Sequence, residues 1–469
     1  MRYDVIIIGG GPAGIFSAIS LVRGKKPLKI LLVEKGELTS KRVCPAIVNR
    51  QGCVRCPRCN IVSGWGGAGA FSDGKLTFST EVGGWLKDYI GEEKLLKLME
   101  EVNNIYTEFG ADQPVIKPDP EKFAYFQRKA IAADLRLVYF AVRHLGTEKC
   151  APILLNMYEY LKDKIDIILG KQVSKILVEN GKVKGVELED GKIYYADYVI
   201  VGPGREGAKW FSGEGQRIGL SWVINPVDIG VRVEIPAAVM KELTDELYEA
   251  KFIYYTKTFD DKVRTFCMNP YGEVVMEQNE GIISVNGHSF AEKKTENTNF
   301  AILVSKNFTE PFRDPIAYGR AIGSLANLLS NGVILQRLGD LLAGRRSTWD
   351  RLQKGMVVPT LKDAVPGDLS LVLPYRYLVD IIEMIQALDK VTPGIYSRHT
   401  LLYGVEVKFY SARVKLNSSL ETEIKNLFAI GDGAGITRGL MQASASGLLV
   451  GQEILKRMAL LSDISEVRN

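Results

Sequence analysis

The sequence predicts an α/β fold whose parallel sheet is assembled from discontinuous stretches of chain, and three observations predict it. The first 34 residues read as strand, turn, helix and strand, the arrangement of a βαβ unit. Residues 167–201 change to period-two patterning, broken at Asn180-Gly181 and Asp190-Gly191, which are hairpin signals of a small antiparallel meander. Near the other end, residues 427–430 form an apolar run that stops at Gly431 and is followed by a helical pattern over 447–460.

Each element follows from local pattern. Residues 4–8 are apolar after Asp4 and stopped by glycines, so they read as a short buried strand. Residues 14–23 set Ile15, Ala18, Ile19 and Val22 on one helical face, and the apolar strand 29–33 ends at Glu34. A glycine- and cysteine-rich stretch covers 44–74, and residues 85–109 and 151–164 read as helices. The middle of the chain is mixed, with strands around 228–234 and 282–285 and helices near 316–342 and 376–388.

Composition excludes several classes. A chain of 469 residues with 46% hydrophobic content is too apolar for a disordered protein. Lys and Arg number 60 against 55 Asp and Glu, a net +5 that is too near balance to signal a nucleic-acid partner. No apolar stretch reaches the ~18 residues of a membrane span. The chain enters its first strand directly after Met1-Arg2-Tyr3, without a basic leader, so a cytoplasmic location is expected. Six cysteines in such a setting do not make a disulfide framework and must be read for metal or redox chemistry.

Glycine is in excess, 46 residues against about 33 at the usual ~7%, and the first place it gathers is diagnostic. Gly9-Gly10-Gly11-Pro12-Ala13-Gly14 supplies G-x-G-x-x-G between a strand and a helix. Gly9 permits the tight turn, Gly11 admits a pyrophosphate, and Gly14 allows close helix–strand packing. The helix starts at Pro12 and Ala13, and its N-terminus offers free N–H groups to phosphate. Glu34 ends the second strand, placed to accept from both ribose hydroxyls, with Lys35 and Arg42 close behind it. Strand, turn, helix and acid together predict dinucleotide binding.

The C-terminal stretch TEIKNLFAIGDGAG, residues 422–435, resembles the second FAD fingerprint of glutathione-reductase-like and hydroxybenzoate-hydroxylase-like flavoproteins. The resemblance implies a Rossmann-type FAD-binding domain in which Gly431 makes the turn and Asp432 binds a ribityl hydroxyl. It also implies that the helix opening near Leu440 and Met441 faces the flavin N1/O2 edge, where reduced flavin carries negative charge. The meander, entered at Val173, returns through 198–204, where such flavoproteins re-enter the cofactor domain. Gly202 and Gly204 then read as close backbone approach to FAD. Gly202–Gly207 also spells G-x-G-x-x-G, a possible NAD(P)H site, but no βαβ unit with a placed acid follows.

Residues 64–76, GWGGAGAFSDGKL, resemble a stretch in a family of FAD-dependent dehydrogenases of unknown substrate. That resemblance covers most of the chain, including GVEVKFYSARV from Gly404 and GDGAGITRGLMQASASG from Gly431; it is loose across 240–400. Relatives often carry GEGAG where this chain has Gly431-Asp432-Gly433. The loop would bring Gly67 and Gly69 to the cofactor and Ser72, Asp73 and Lys75 to its ring. Lys75 is thus a catalytic candidate, and a packing turn with a solvated lysine fits the same residues.

Cys44, Cys53, Cys56 and Cys59 are spaced as ligands of a [4Fe–4S] cluster or zinc; a redox dithiol or plain thiols are the other readings. Cys150 and Cys267 read as small apolar fillers. Of three histidines, His288 lies beside a strand in the middle region and is the best candidate proton donor, although a structural histidine fits as well. Glu406, Lys408, Arg413 and Arg438 are candidates to face the ring or anchor a substrate carboxylate.

The expected organisation is an FAD-binding domain from 1–80, 165–212 and 401–469, a helical insertion at 81–164, and a mixed α/β substrate domain at 213–400. The expected function is hydride or electron transfer between FAD and a small organic substrate, with C=C reduction suggested by resemblance. NAD(P)H or a protein would serve as electron donor. Two alternatives stand beside it: an electron-transfer flavoprotein relaying through a cysteine-ligated iron–sulfur site, and a flavin-dependent RNA-modifying enzyme.

Overall fold

The computed structural model describes all residues except 50–53, 55, 224, 280, 291–293, 307, 309–313, 409–411 and 468–469. The chain divides into two compact units. The first comprises Met1–Pro114, Arg143–Val223 and Ser411–Asn469, and the second comprises Val115–Val142 and Ile224–Tyr410.

The first unit is built on a seven-stranded sheet whose order follows from burial on both faces. Strand β1 (Arg2–Ile8) has Val5, Ile6 and Ile7 fully buried, the near-continuous apolar run expected of a central parallel strand. Helix α1 (Pro12–Val22) crosses over to β2 (Ile30–Val33), which pairs parallel with β1, and β3 (Asp166–Ile168) extends that edge. The meander is β4 (Val173–Glu179), β5 (Lys182–Leu188) and β6 (Ile193–Val201), joined antiparallel. Strand β6 is long because it serves two purposes. Its first residues pair with the meander, and Val199–Val201 pair with β7 (Leu427–Ala429) in parallel. The order is β3-β2-β1-β6-β5-β4, with β7 beside β6.

Helix α2 (Leu440–Val467) packs on α1 through small residues. A Cβ added at Gly447 would lie 1.9 Å from the Ala13 carbonyl, and one at Gly451 would lie 2.5 Å from the Ser20 Cβ. The Ser17 hydroxyl donates to the Gly447 carbonyl at 3.0 Å. Two chain ends more than 400 residues apart are therefore held backbone to backbone, at the helix whose N-terminus follows the glycine loop.

The second unit carries an eight-stranded sheet whose centre is Leu401–Lys408, Val227–Pro236 and Asn297–Lys306, paired antiparallel. Helix Tyr375–Val391 buries Ile381, Met384, Ile385 and Leu388 along one stripe. A separate hairpin, Glu273–Asn279 with Ile282–His288, extends the strand expected at 282–285.

Two helical expectations are corrected. Residues 316–342 are not one helix: Pro315–Ser330 ends at Asn331 in the left-handed conformation, and Ile334–Arg337 is a fully buried strand before a short helix, Leu338–Leu342. Sheet pairing with Leu401–Gly404 overrides the local helical pattern there. Residues 85–109 are split at Gly91, whose φ of +79° separates Leu86–Ile90 from Glu92–Glu108. The stretch 81–164 also contains strands at Val115–Ile116, Leu135–Val138 and Ala141–His144, and its residues are shared between both units.

Candidate functional site

The glycine loop between β1 and α1 is shaped by contacts that only glycine permits. Gly9 has φ +104°, and a Cβ there would sit 2.1 Å from the Gly202 carbonyl oxygen. A Cβ at Gly14 would meet the Gly9 carbonyl at 1.9 Å. Gly11 differs, since its nearest neighbour would be the Gly67 Cα at 3.9 Å. It is the N-cap of α1, with no side-chain cap, Pro12 next and no acid in the first turn. The helix end thus presents unsatisfied N–H groups and its positive pole to open space, the setting that binds phosphate.

Glu34 is buried at the end of β2 and organises this loop. One carboxylate oxygen accepts from the Gly10 amide at 2.7 Å. The other accepts from the Gly36 amide at 2.8 Å and the Gly64 amide at 2.9 Å. The carboxylate therefore ties the loops at 10, 36 and 64 together, while keeping acceptor capacity for a hydroxyl.

The C-terminal elements meet the same place. A Cβ added at Gly431, where φ is +72°, would come within 3.0 Å of the Ala13 Cβ at the start of α1. A Cβ at Gly69 would lie 2.7 Å from a Leu440 methyl and 3.1 Å from the Pro12 ring. The Gly202 amide donates to Ile8 at 2.8 Å, and a Cβ at Gly433 would be 2.6 Å from the Gly204 carbonyl. Four stretches of chain, around residues 9–14, 67–69, 202–204 and 431–440, thus converge. Met441 is buried, and a Cβ at Gly439, just before α2, would touch nothing within 4 Å. A second helix N-terminus therefore also opens onto free space.

Asp432 accepts from the Thr437 hydroxyl at 2.7 Å. Burial pushes its carboxyl above the ordinary value, against the pull of Arg205 and the Thr437 hydrogen bond. The side chain is enclosed by protein yet partly open to solvent, as expected of a carboxylate lining a concave ligand site. These residues fit FAD: a helix end without a side-chain cap at Gly11, open space beside Gly439 at the start of α2, and an enclosed acid between them.

Other expected site residues fall as follows. The Arg42 guanidinium is engaged with four backbone carbonyls, those of Asn60, Ile61, Trp65 and Gly67, at 2.7–2.8 Å, and it lies over the Phe71 ring. Burial brings it down to about 10. It pins the 60–67 loop, and four of its five donors are in use. Lys35 pairs with Glu206. Val173 is buried and pairs with Leu188 across the meander. Lys75 lies 3.2 Å from Asp73, both side chains largely buried, so it is not a solvated surface lysine. His288 ends its strand opposite Glu273 in the second unit.

Of the four closely spaced cysteines, Cys53 lies outside the described residues. Cys44, Cys56 and Cys59 are free and partly buried. Among the described residues no group of three or more His, Cys, Asp or Glu is arranged to hold a metal. Burial pushes the Cys150 thiol up to about 12, as befits an apolar filler.

Sequence reading missed Trp85 and Arg205. The signal available for Trp85 was the preceding Gly83-Gly84 pair, with φ +102° and +137°, which marks a close backbone approach.

The chain is similar to known flavoprotein families. Residues 4–211 match the FAD binding domain model, and residues 226–409 match the model described as FAD-dependent protein, C-terminal domain-like. Residues 360–460 match the glucose inhibited division protein A model. An uncharacterised protein of Clostridium beijerinckii is 27% identical over 479 residues, covering 97% of this chain and 81% of that protein. Among solved structures, L-proline dehydrogenase from P. horikoshii is similar at 13% identity and TM-score 0.41, covering 97% of this chain and 94% of that one. Glycine oxidase from Geobacillus kaustophilus is similar at 13% identity and TM-score 0.39, covering 97% and 95%. No helix among the described residues is long and apolar enough to cross a membrane. With an FAD binding domain over residues 4–211 and an FAD-dependent C-terminal domain over 226–409, the chain is an FAD-dependent oxidoreductase.

Proposed function

We propose that this oxidoreductase transfers hydride or electrons between bound FAD and a small organic substrate, with reduction of an activated C=C bond as the leading reaction and NAD(P)H or a protein as electron donor. The observation that carries the reading is the meeting of Gly431 with Ala13, which brings the two fingerprints to one place. FAD supplies the electron-carrying ring; the chain's residues hold and tune it.

The first turn of α1 would hold the pyrophosphate, and the acceptor capacity left on Glu34 would take a ribose hydroxyl. Asp432 would accept from a ribityl hydroxyl, and the start of α2 would stabilise negative charge at the flavin edge. Lys75, held by Asp73, and His288 are the proposed proton donors, because hydride delivery to one carbon calls for a proton at its neighbour.

An anaerobic absorbance spectrum of purified protein, followed by titration with NADH and with NADPH, tests this. Flavin bands bleached by one of the nicotinamides support the full reading. Folded protein that neither carries nor takes up FAD overturns it.

A further inference from the structure

We propose that Arg413 and Arg438 form a clamp for a carboxylate beside the flavin position, so that the substrate is an organic acid. The inference rests on the FAD-dependent reading above and adds a substrate class to it.

Both guanidinium groups lie over one indole. The Arg438 Cζ is 3.8 Å from the centroid of the Trp85 ring, and the Arg413 Cζ is 4.9 Å from it. The backbone fixes this arrangement from two directions. The Trp85 amide donates to the Ile436 carbonyl at 2.8 Å, and the Arg438 amide donates to the Gly83 carbonyl at 2.7 Å. A Cβ at Gly84 would lie 2.6 Å from the Ile436 oxygen, so the lacing needs glycine there. Arg413 stands on a two-residue strand, Arg413–Val414, paired with Trp222–Val223.

The location ties the clamp to the cofactor site. Thr437, next to Arg438, holds Asp432, and Gly439 opens helix α2. Arg438 thus sits between the proposed ribityl-binding acid and the helix end proposed to face the flavin. Arg205 and Arg438 both pull on Asp432.

The chemistry points to a carboxylate. A guanidinium stacked on an aromatic face has that face covered, so its N–H donors are directed along its own plane. A planar carboxylate accepts two such donors side by side. The Arg413 Nε is buried and makes no hydrogen bond among the described residues, leaving a donor that a ligand would satisfy. Two like charges held near one ring raise the local positive potential, which a bound anion lowers.

The test uses the full chain loaded with FAD and succinate as the probe, followed by the flavin difference spectrum. A saturable perturbation is expected. Arg413→Gln and Arg438→Gln should each weaken it about ten- to a hundred-fold, the loss that follows removal of a charged hydrogen-bond partner, with FAD content unchanged. Arg345→Gln, in the second unit, serves as the control and should bind as the parent does. Should either glutamine variant fail to fold, Arg413→Lys and Arg438→Lys keep the charge but not the paired donors, and weakened succinate binding is expected from them too. The proposal is overturned if succinate leaves the flavin spectrum unchanged, if inorganic phosphate binds as well as succinate, or if the arginine variants lose FAD instead of succinate. Failure of the underlying reading is a separate result, because the parent protein would then carry no FAD at all.

Discussion

At the scale of single residues, the glycine loop separates folding from binding. Gly11→Ala and Gly14→Ala look alike in sequence, yet they differ in what the added methyl meets. At Gly14 it would lie 1.9 Å from the Gly9 carbonyl oxygen, so the backbone must shift, at a cost of about 1–3 kcal/mol. At Gly11 the nearest atom is 3.9 Å away and φ is −79°, so alanine fits the unliganded chain. Calorimetry of the FAD-free forms should show Gly14→Ala melting several degrees lower and Gly11→Ala unchanged, while FAD titration shows both binding weakly. A Gly11→Ala protein that binds FAD like the parent would remove the pyrophosphate from this loop. Asp432 gives a prediction of a different kind. Its folded-state carboxyl is raised, so the folded chain holds that proton more tightly than the unfolded chain does. Stability of the FAD-free protein therefore falls as pH rises from about 4, the ordinary carboxylate range, through the folded value. Asp432→Asn abolishes that contribution. Urea midpoints should coincide for the two proteins in acid and favour the asparagine variant at neutral pH, although its FAD affinity is lower.

At the scale of elements, what was legible in the sequence was whatever burial writes as a period. Strand β1 and helix α1 were readable because Ile6, Ile7, Ile15 and Ile19 are fully buried with few polar interruptions. The meander was readable because turn residues Asn180 and Gly181, both at positive φ, punctuate a period of two. Residues 334–337 were not readable, because the buried strand there includes Gln336 and Arg337. Gln336 finds its partner far along the chain, accepting from the Leu369 amide, and Arg337 pairs with Asp340 in the short helix that follows. A hydropathy pattern cannot see such partners. The site was legible in its glycines and acids, which act locally. The loop-pinning role of Arg42 was not legible, because nothing local shows that its donors serve carbonyls as far along as Gly67. The α1–α2 contact was also hidden, since small residues in a helix have many uses. It is testable directly. Gly447→Leu would drive a side chain into the Ala13 carbonyl at the start of α1, so destabilisation of about 3 kcal/mol or more is expected, together with weaker FAD binding. Chemical denaturation measures the first effect and flavin fluorescence the second. Normal stability in this variant would show that the two helices are not in backbone contact.

At the scale of the whole molecule, the site is assembled from chain segments that are neighbours only after folding, and ligand binding should report that assembly. A ligand that binds only the folded state stabilises it by RT ln(1 + [L]/Kd), about 2.7 kcal/mol at a hundredfold excess over Kd. The stretches 9–14, 64–71, 202–204 and 431–441 all belong to the first unit and come from three separate stretches of it. Bound FAD should slow their amide exchange together, with one dependence on FAD concentration, because each opening that releases the cofactor must break the same convergence. Hydrogen exchange followed by mass spectrometry resolves the peptides. The strongest protection is expected at the amides of the first turn of α1, which lack helical partners and so exchange fast without the ligand. Protection confined to the N-terminal loop, with 431–441 exchanging as in the FAD-free protein, would mean that the C-terminal segment does not hold the cofactor. The roles assigned to Asp432 and to the start of α2 would then be lost, while the pyrophosphate site at Gly11 would stand.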